Sequence, residues 1–271
     1  MMAGTPGNTC LPIALVAAVL CSAPALATDI PAPGPVHKAP TVVPFNWGGA
    51  YAGVHVGYGR GDAEFQWIPG PSFLDPNNFL PARVGAANTT LHPAGFLAGA
   101  SAGYNVHSGS TVWGVEADIA YADLRRSRLV DLATLGLPAG NTVSESVAVS
   151  WLATLRPRIG IAADRSLIYL TGGLAAAGVE YRDRSGYAAV LPSTGSTSET
   201  RWGWTVGAGL ELAGKDRWTI KAEYLYADLG RTDYSAASPS LPPADTMLTH
   251  RHHLALHVVR VSLSHFFGGR P

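Results

Sequence analysis

The chain has 271 residues and a net charge of zero, with 19 Lys and Arg residues against 19 Asp and Glu residues, so its composition does not suit a nucleic-acid or acidic partner. Only 14% of the residues are charged, below the roughly 25% usual for soluble domains, and the 31 glycines and 20 prolines favour turns and strands over long helices. Both cysteines, Cys10 and Cys21, lie in the N-terminal segment, which leaves no cysteine in the remaining chain for a disulfide scaffold, a thiol enzyme or a zinc site.

The N-terminal residues 1–27 have the pattern of a secretory signal peptide. An apolar run from Leu11 to Leu20 precedes Ala25-Leu-Ala27, which has the small-x-small pattern of a cleavage site. We therefore predict export, with cleavage after Ala27. The Pro-rich residues 28–45 predict an extended periplasmic linker.

One sequence stretch occurs twice and alternates between apolar and polar residues. Residues 113–124 read W-G-V-E-A-D-I-A-Y-A-D-L, and residues 218–229 read W-T-I-K-A-E-Y-L-Y-A-D-L. Because successive strand residues point to opposite sides, each copy predicts a strand with one apolar and one polar face. The charged face meets water in a soluble sheet but lines the interior of a membrane barrel.

The two copies are the third and seventh of eight predicted strands, and the connections between the strands alternate in length. Long polar connections are predicted at residues 60–93, 125–146, 182–200 and 230–250, and short turns near residues 108–109, 163–165 and 214–216. Long loops at one end only are typical of outer-membrane barrels, and the strands are long enough for a tilted crossing of roughly 9 to 11 residues. We therefore predict an all-β fold over residues 46–267. It is an eight-stranded antiparallel up-and-down transmembrane β-barrel with short periplasmic turns and long extracellular loops, followed by a tail at residues 268–271.

Aromatic residues concentrate at the two ends of the predicted strands, where Trp and Tyr anchor proteins at membrane interfaces. At the short-turn end these girdle residues are Trp47, Trp113 and Trp218. At the long-loop end they are Tyr58, Tyr121, Trp151, Trp202 and Tyr226.

Several motifs together resemble the outer-membrane immunogenic protein, or porin-like, family within the OmpA-like small β-barrel group of Gram-negative bacteria. They are the N-W-G-G-A-Y-A-G-V-H-V-G-Y-G of residues 46–59, G-Y-N-V of residues 103–106, R-P-R-I-G of residues 156–160, T-G-G of residues 171–173 and the two Tyr-Ala-Asp-Leu sequences. The resemblance implies an outer-membrane surface antigen. Expected partners are outer-membrane lipid, lipopolysaccharide and the barrel-assembly machinery. Some members are described as porins and others as haemin-binding proteins.

The predicted inward face collects eight charged residues, and an isolated buried charge is costly, so these charges must pair. The set comprises Glu116, Asp118, Arg156, Arg158, Glu211, Lys221, Glu223 and Arg260. An eight-stranded barrel has an interior about wide enough for side chains to fill it, which favours a salt-bridged plug. The alternative is a narrow porin-like channel for ions, gated by exchange of partners within this network.

A histidine cluster near the start of the last predicted strand is the second candidate site. Imidazoles of His250, His252 and His253 could bind haemin iron or a divalent metal, although a wet polar rim is the simpler interpretation. The histidines show no regular spacing with a carboxylate, so no metal site and no cofactor are predicted.

The third possibility, an enzyme, finds little support in the sequence. Ser264 adjoins His265, but neighbouring strand residues face opposite ways and make a poor catalytic pair. No Gly-x-Ser-x-Gly motif occurs. We therefore predict a non-enzymatic surface barrel with a structural role in the cell envelope, with the channel and the haemin-binding protein as alternatives.

Overall fold

The computed structural model of the protein describes residues 45–68, 88–135, 142–186, 193–236 and 248–267. The predicted signal peptide, most of the predicted linker and the tail at residues 268–271 lie outside these ranges. The strands are β1 (Gly49–Ile68), β2 (Thr89–Leu91), β3 (Ala94–Ser108), β4 (Thr111–Asp131), β5 (Thr142–Ala163), β6 (Ser166–Gly186), β7 (Ser193–Ala213), β8 (Trp218–Ala236) and β9 (Leu248–Phe266). A short 3-10 helix, Leu132–Leu135, follows β4. In these ranges no helix is long and apolar enough to cross a membrane.

Eight of these strands form a closed antiparallel ring. β1 and β3 through β9 pair with their neighbours in chain order, and β9 pairs with β1 to close the ring. The closing ladder is long, running from Tyr51 opposite Phe266 to Ile68 opposite Thr249. The short strand β2 pairs with β1 beyond the end of β3, on the side of the long loops. The predicted eight-stranded antiparallel up-and-down barrel is therefore confirmed.

The strands extend further at the long-loop end than the sequence pattern predicts. The eight ring strands are 15 to 22 residues long, and parts of all four predicted long loops belong to them. Residues 125–131, 142–146, 193–200 and 230–236 are examples. The prediction of these loop boundaries was wrong because the outward face becomes polar there while the hydrogen-bonded ladder continues.

The outer wall of the barrel carries an apolar band near the short-turn end. Phe96 is 76% exposed, Ile168 67% and Ile119 60%, and the outward side chains of every ring strand contribute to the band. An exposed apolar surface of this extent is not stable in water. Together with the charged interior at the same height, it is the pattern of a barrel that meets lipid.

Beyond this band, towards the long-loop end, the pattern reverses. The inward side chains become apolar and form one packed layer, which includes Leu124 on β4, Val149 on β5, Val179 on β6 and Leu256 on β9. The outward side chains become polar, as in a barrel surrounded by water. The upper half of the barrel thus has an ordinary hydrophobic core.

A second, smaller apolar layer closes the interior at the short-turn end. It contains Trp47, Tyr51, Val112, Leu167, Tyr169 and Phe266. Residues 45–48 lie across this end, where the Phe45 amide donates to the Asp164 carbonyl oxygen and the Phe45 ring packs 4.8 Å from that of Trp47. The prediction of Trp47 as a girdle residue was wrong, because its side chain is fully buried in this layer.

Candidate functional site

The eight predicted inward charges lie in the middle of the barrel interior, between the two apolar layers. β4 contributes Glu116 and Asp118, β5 Arg156 and Arg158, β7 Glu211, β8 Lys221 and Glu223, and β9 Arg260, and every one of them is buried. The structure brings all eight together as four carboxylates and four cations. Since the formal charges cancel, the cluster carries no net charge that must be neutralised by solvent.

Two arginines on opposite strands tie the carboxylates together. Arg156 donates from Nη2 to Glu116 at 2.7 Å and to Asp118 at 2.9 Å, and from Nη1 to Glu223 at 3.1 Å. Arg260 donates from Nη1 to Asp118 at 3.0 Å and from Nε to Glu223 at 2.6 Å. Charge-assisted bonds of this length are the strong class of hydrogen bond. Asp118 and Glu223 therefore lie between the same two guanidinium groups.

The two copies of the sequence repeat meet at this site. β4 and β8 are four strands apart in the ring of eight and so face each other. The fourth residue is Glu116 in the first copy and Lys221 in the second. Lys221 Nζ lies 2.5 Å from Glu116 Oε2. The repeat has reversed its charge at this one position, which allows the two copies to pair directly across the interior.

Two tyrosines that the sequence interpretation did not select complete the network. Tyr51 donates to Glu116 at 2.7 Å and Tyr169 donates to Glu223 at 2.8 Å. Their rings lie on the guanidinium of Arg158, at 5.0 and 4.8 Å from its carbon to the ring centroids, which is cation–π distance. Strict alternation along β1, counted from the outward Ala50, could have placed Tyr51 inside.

Each of these tyrosines lies over a glycine of the neighbouring strand. A Cβ at Gly103 would be 2.4 Å from the Tyr51 hydroxyl oxygen, and a Cβ at Gly209 would be 2.4 Å from that of Tyr169. No side chain fits at that separation. The two glycines therefore allow the tyrosine hydroxyls to reach the carboxylates.

Every carboxylate in the network accepts at least two hydrogen bonds. Glu211 accepts one from Arg158 at 3.0 Å and one from Thr219 at 2.6 Å. Asp118 accepts a further bond from Thr154 at 2.6 Å. The network thus has bonded carboxylates and lies between two apolar layers, an arrangement that can hold the strands in register.

Two of the three candidate haemin ligands, His252 and His253, point to opposite sides of the barrel wall. His252 is buried and stacks on Tyr181 at 4.7 Å, whereas His253 faces outward and pairs with Asp228 at 3.2 Å. The side chain of His250 lies outside the described part of the structure. In the ranges that the structure describes, no group of three or more His, Cys, Asp or Glu residues could hold a metal ion.

The serine and histidine considered for catalysis also lie apart. Ser264 is fully buried inside the barrel, and His265 packs outside it, with its ring 5.0 Å from that of Trp218. Their side chains are on opposite sides of the wall, so they cannot act on one substrate.

The other seven predicted girdle residues lie on the outer wall. Trp113 and Trp218 are exposed near the short-turn end, and Tyr58, Tyr121 and Trp202 are exposed near the long-loop end. Trp151 and Tyr226 are partly buried on the same outward face. Tyr58 packs against the outward Phe96, with the ring centroids 5.4 Å apart.

The closed ring, the apolar outer band and the charged interior define a small membrane-spanning β-barrel of the kind found in bacterial outer membranes. The family model described as the outer membrane protein beta-barrel domain matches residues 13–241 of the chain. The chain belongs to this family and is an outer-membrane protein.

Relatives with similar sequences carry outer-membrane names. The chain is 32% identical over 260 residues to the 31 kDa outer-membrane immunogenic protein of Brucella melitensis biotype 1, which covers 94% of this chain and 98% of the relative. It is 28% identical over 220 residues to the 25 kDa outer-membrane immunogenic protein of Brucella abortus biovar 1, covering 81% and 82%. The crystal structure of the outer membrane protein OprG from Pseudomonas aeruginosa aligns with a TM-score of 0.47 at 11% identity, covering 81% of this chain and 97% of that one.

Proposed function

We propose that the protein is a non-enzymatic, sealed barrel that reinforces the outer membrane and displays its outer strands at the cell surface as an antigen. The observation that carries this proposal is the interior, where a neutral salt-bridge network lies between two apolar layers. Arg156 at its centre is 0% exposed. An ion crossing this interior would have to break several buried charge-assisted bonds at once, which is a large cost in a medium of low dielectric constant.

The antigen part of the proposal is supported by the relatives and by the length of the strands. Both Brucella relatives are named immunogenic proteins. The ring strands continue well past the aromatic girdle at the long-loop end, so a polar wall stands outside the membrane. Antibodies raised against the refolded barrel should bind intact cells. Binding only after the cells are permeabilised would refute display at the surface.

A structural role and a channel role respond differently to a change in the luminal charges. Cells lacking the protein should take up a hydrophobic dye faster, and expression of the wild-type chain should restore the barrier. The charge-balanced variant Glu116→Gln with Lys221→Met should restore it equally well, because it removes one carboxylate and one cation from the network. If this variant folds and reaches the outer membrane yet fails to restore the barrier, the structural proposal is refuted.

A further inference from the structure

Beyond the girdle at the long-loop end, the wall of the barrel separates between β7 and β8. The β7–β8 ladder ends at the pair formed by Trp204 and Asp228, although both strands continue past this pair. In the described part of the chain, residues 193–203 form ladder pairs only with β6, and residues 231–236 only with β9. One side of β7 is therefore left without a neighbouring strand in this region.

A bulge in β8 and a buried arginine of β7 end this ladder. The β8–β9 register shifts between Asp228 and Arg231, and Gly230 within the bulge has a φ of 71°, a conformation that other residues seldom adopt. The buried guanidinium of Arg201 donates to the carbonyl oxygens of Leu229 at 3.2 Å and Gly230 at 2.7 Å. Backbone N–H groups of β7 would bind carbonyl oxygens of β8 if the ladder continued, so this side chain takes their place.

The backbone groups of alternate residues point to opposite neighbours along an antiparallel strand. At the short-turn end of β7, the Ala213 amide donates to the carbonyl oxygen of Arg165, which precedes β6, and the next amide, that of Gly214, donates to Trp218 of β8. The β6–β7 ladder has no register shift along its length, so this alternation holds throughout β7. The N–H and C=O groups of residues 194, 196, 198 and 200 therefore face the side without a neighbouring strand.

Natural sheets protect their free edges with very short strands, bulges or charged side chains, because an exposed edge can pair with another chain. The edges of β2, β4 and β8, which are also free at this height in the described ranges, carry such protection. β2 has only three residues, and β8 has its bulge and the outward charges of Arg231 and Asp233. β4 has Arg126 and Arg128 beyond its last pair with β3.

The free edge of β7, which comprises residues 193–200, lacks this protection. Residues 193–198 read S-T-G-S-T-S and contain neither a charged residue nor a proline, and the charge of Glu199 is balanced by Arg201 at 3.3 Å. The edge lies beyond the outward Trp202 of the girdle, which is 70% exposed, so it stands outside the membrane. At about 25 Å in length, it can accommodate a complete additional strand.

We propose that the free edge of β7 binds an extended segment of another protein outside the cell, which adds one strand to the sheet. The segment bonds to the N–H and C=O groups of residues 194, 196, 198 and 200. Because the charges at the edge are already paired, a neutral segment rich in β-branched residues fits it best. The inference rests on the proposed display of the outer strands at the cell surface and names the kind of partner that they take.

A second copy of the chain in the same membrane does not fit this edge. Strands of membrane barrels tilt by about 35–45°, so the edges of two upright barrels that meet side by side would cross at about 70–90°. Neighbouring strands of a sheet are rotated by only about 20–25°. A flexible segment of a separate protein has no such restriction and can align with β7.

The test is a binding titration of the refolded mature chain in detergent micelles, with a labelled peptide of alternating Thr and Val residues that is long enough to span the edge. The same peptide with N-methylated backbone amides should bind at least about tenfold more weakly, because it has lost its donors. The Ser198→Pro variant, which removes one N–H from the free edge and none from the β6 ladder, should weaken binding of the unmethylated peptide by about tenfold or more.

The matched control is Ser198→Ala, which changes the side chain and keeps the backbone N–H. It should stay within about twofold of the wild-type dissociation constant. Heat-modifiable gel mobility verifies folding, and Ser196→Pro takes the place of Ser198→Pro if the latter does not fold.

Three results would overturn the proposal. They are absence of binding to the unmethylated peptide, equal binding of the methylated one, and a dimer of the chain that Ser198→Pro dissociates. A wrong docking edge fails in this titration, whereas a wrong assignment of surface display fails in the antibody experiment on intact cells, so the two failures are distinguishable.

Discussion

At the scale of single residues, the interior shows how charges can be buried in a membrane protein at a tolerable cost. Glu116 accepts from Tyr51, Arg156 and Lys221 at once. An unpaired carboxylate at this depth would be strongly unfavourable, whereas a fully bonded one in a neutral cluster is close to balance. The cost therefore appears only when one member is removed.

Removal of Arg156 is the clearest test of this balance. The Arg156→Met variant leaves the cluster with one uncompensated negative charge and three carboxylates that lose a donor, so the free energy of unfolding should fall by about 3–5 kcal/mol. Urea unfolding in lipid vesicles, followed by heat-modifiable gel mobility, measures the loss. The Arg60→Met variant, on the outer wall, should lose less than about 0.5 kcal/mol. A loss at Arg156 no larger than that of the control would contradict the network as a stabilising unit.

The contact between Tyr51 and Gly103 gives a second prediction. In the Gly103→Ala variant the new methyl group occupies the space of the tyrosine hydroxyl, so the ring must move away from Glu116 and the unfolding free energy should fall by about 1–3 kcal/mol. Gly172→Ala is the matched control, because its nearest neighbouring atom is 3.3 Å from the added carbon. Similar losses in both variants would show that the close approach of the ring has no special role.

The luminal charges could be predicted from the sequence because each falls on the polar side of an alternating strand. Trp47 could not be assigned in the same way. It is an aromatic residue just before a strand begins, where an interfacial girdle and an inner apolar layer call for the same residue types. Only the packing of Phe45 and Phe266 against Trp47 decides between the two positions.

At the scale of strands, the two copies of the repeat share a backbone irregularity as well as their alternating apolar and polar faces. Each copy ends beside a bulge, between Tyr121 and Leu124 in β4 and between Asp228 and Arg231 in β8. On the preceding strand, a Cβ added at Gly95 would lie 1.8 Å from the carbonyl oxygen of Asp123, the last aspartate of the first copy. A Cβ added at Gly203 would lie 1.8 Å from the carbonyl oxygen of Asp228, the last aspartate of the second copy. In both copies the motif therefore places the same backbone carbonyl against a glycine of the preceding strand.

The extension of the strands beyond the membrane predicts slow amide exchange in segments that resemble loops in sequence. Amides of residues 142–146 and, within residues 197–200, those that bond to β6 lie in continuous ladders and should exchange at least about a hundredfold more slowly than in an unfolded chain. Hydrogen exchange on the refolded barrel, read by mass spectrometry or NMR, measures this. Exchange at unfolded-chain rates in both segments would show that the strands end at the girdle, as the apolar pattern alone suggests.

The strand ends could not be predicted because the signal changes at the membrane boundary. Inside the band, large apolar residues alternate outward and are easily recognised. Outside it, the buried positions are partly small residues such as Ala122, Ala177 and Ala227, and a polar outward face is also typical of loops. The bulges add a shift of one position, which interrupts any search for strict alternation.

At the scale of the whole molecule, the barrel combines two opposite arrangements in one continuous wall. The part in the membrane is apolar outside and charged inside, and the part beyond it is polar outside and apolar inside. The transition lies near the aromatic girdle, for example at Tyr58 on β1, Tyr121 on β4 and Trp202 on β7. Three stacked interior layers result, with the lower apolar layer around Trp47, the charge network around Arg156 and the upper apolar layer around Leu256. Together these layers are the basis on which a sealed interior is proposed.

Ion conductance of the refolded barrel in planar lipid bilayers tests the sealed interior most directly. The preparation should first show heat-modifiable mobility, so that only folded protein is measured. Inserted wild-type barrels should then give no conductance steps above those of the protein-free bilayer, because the charge network and both apolar layers block the lumen. Reproducible steps whose size or ion selectivity changes in the Glu116→Gln and Lys221→Met double variant would contradict the sealed interior and establish the charge network as the wall of a channel.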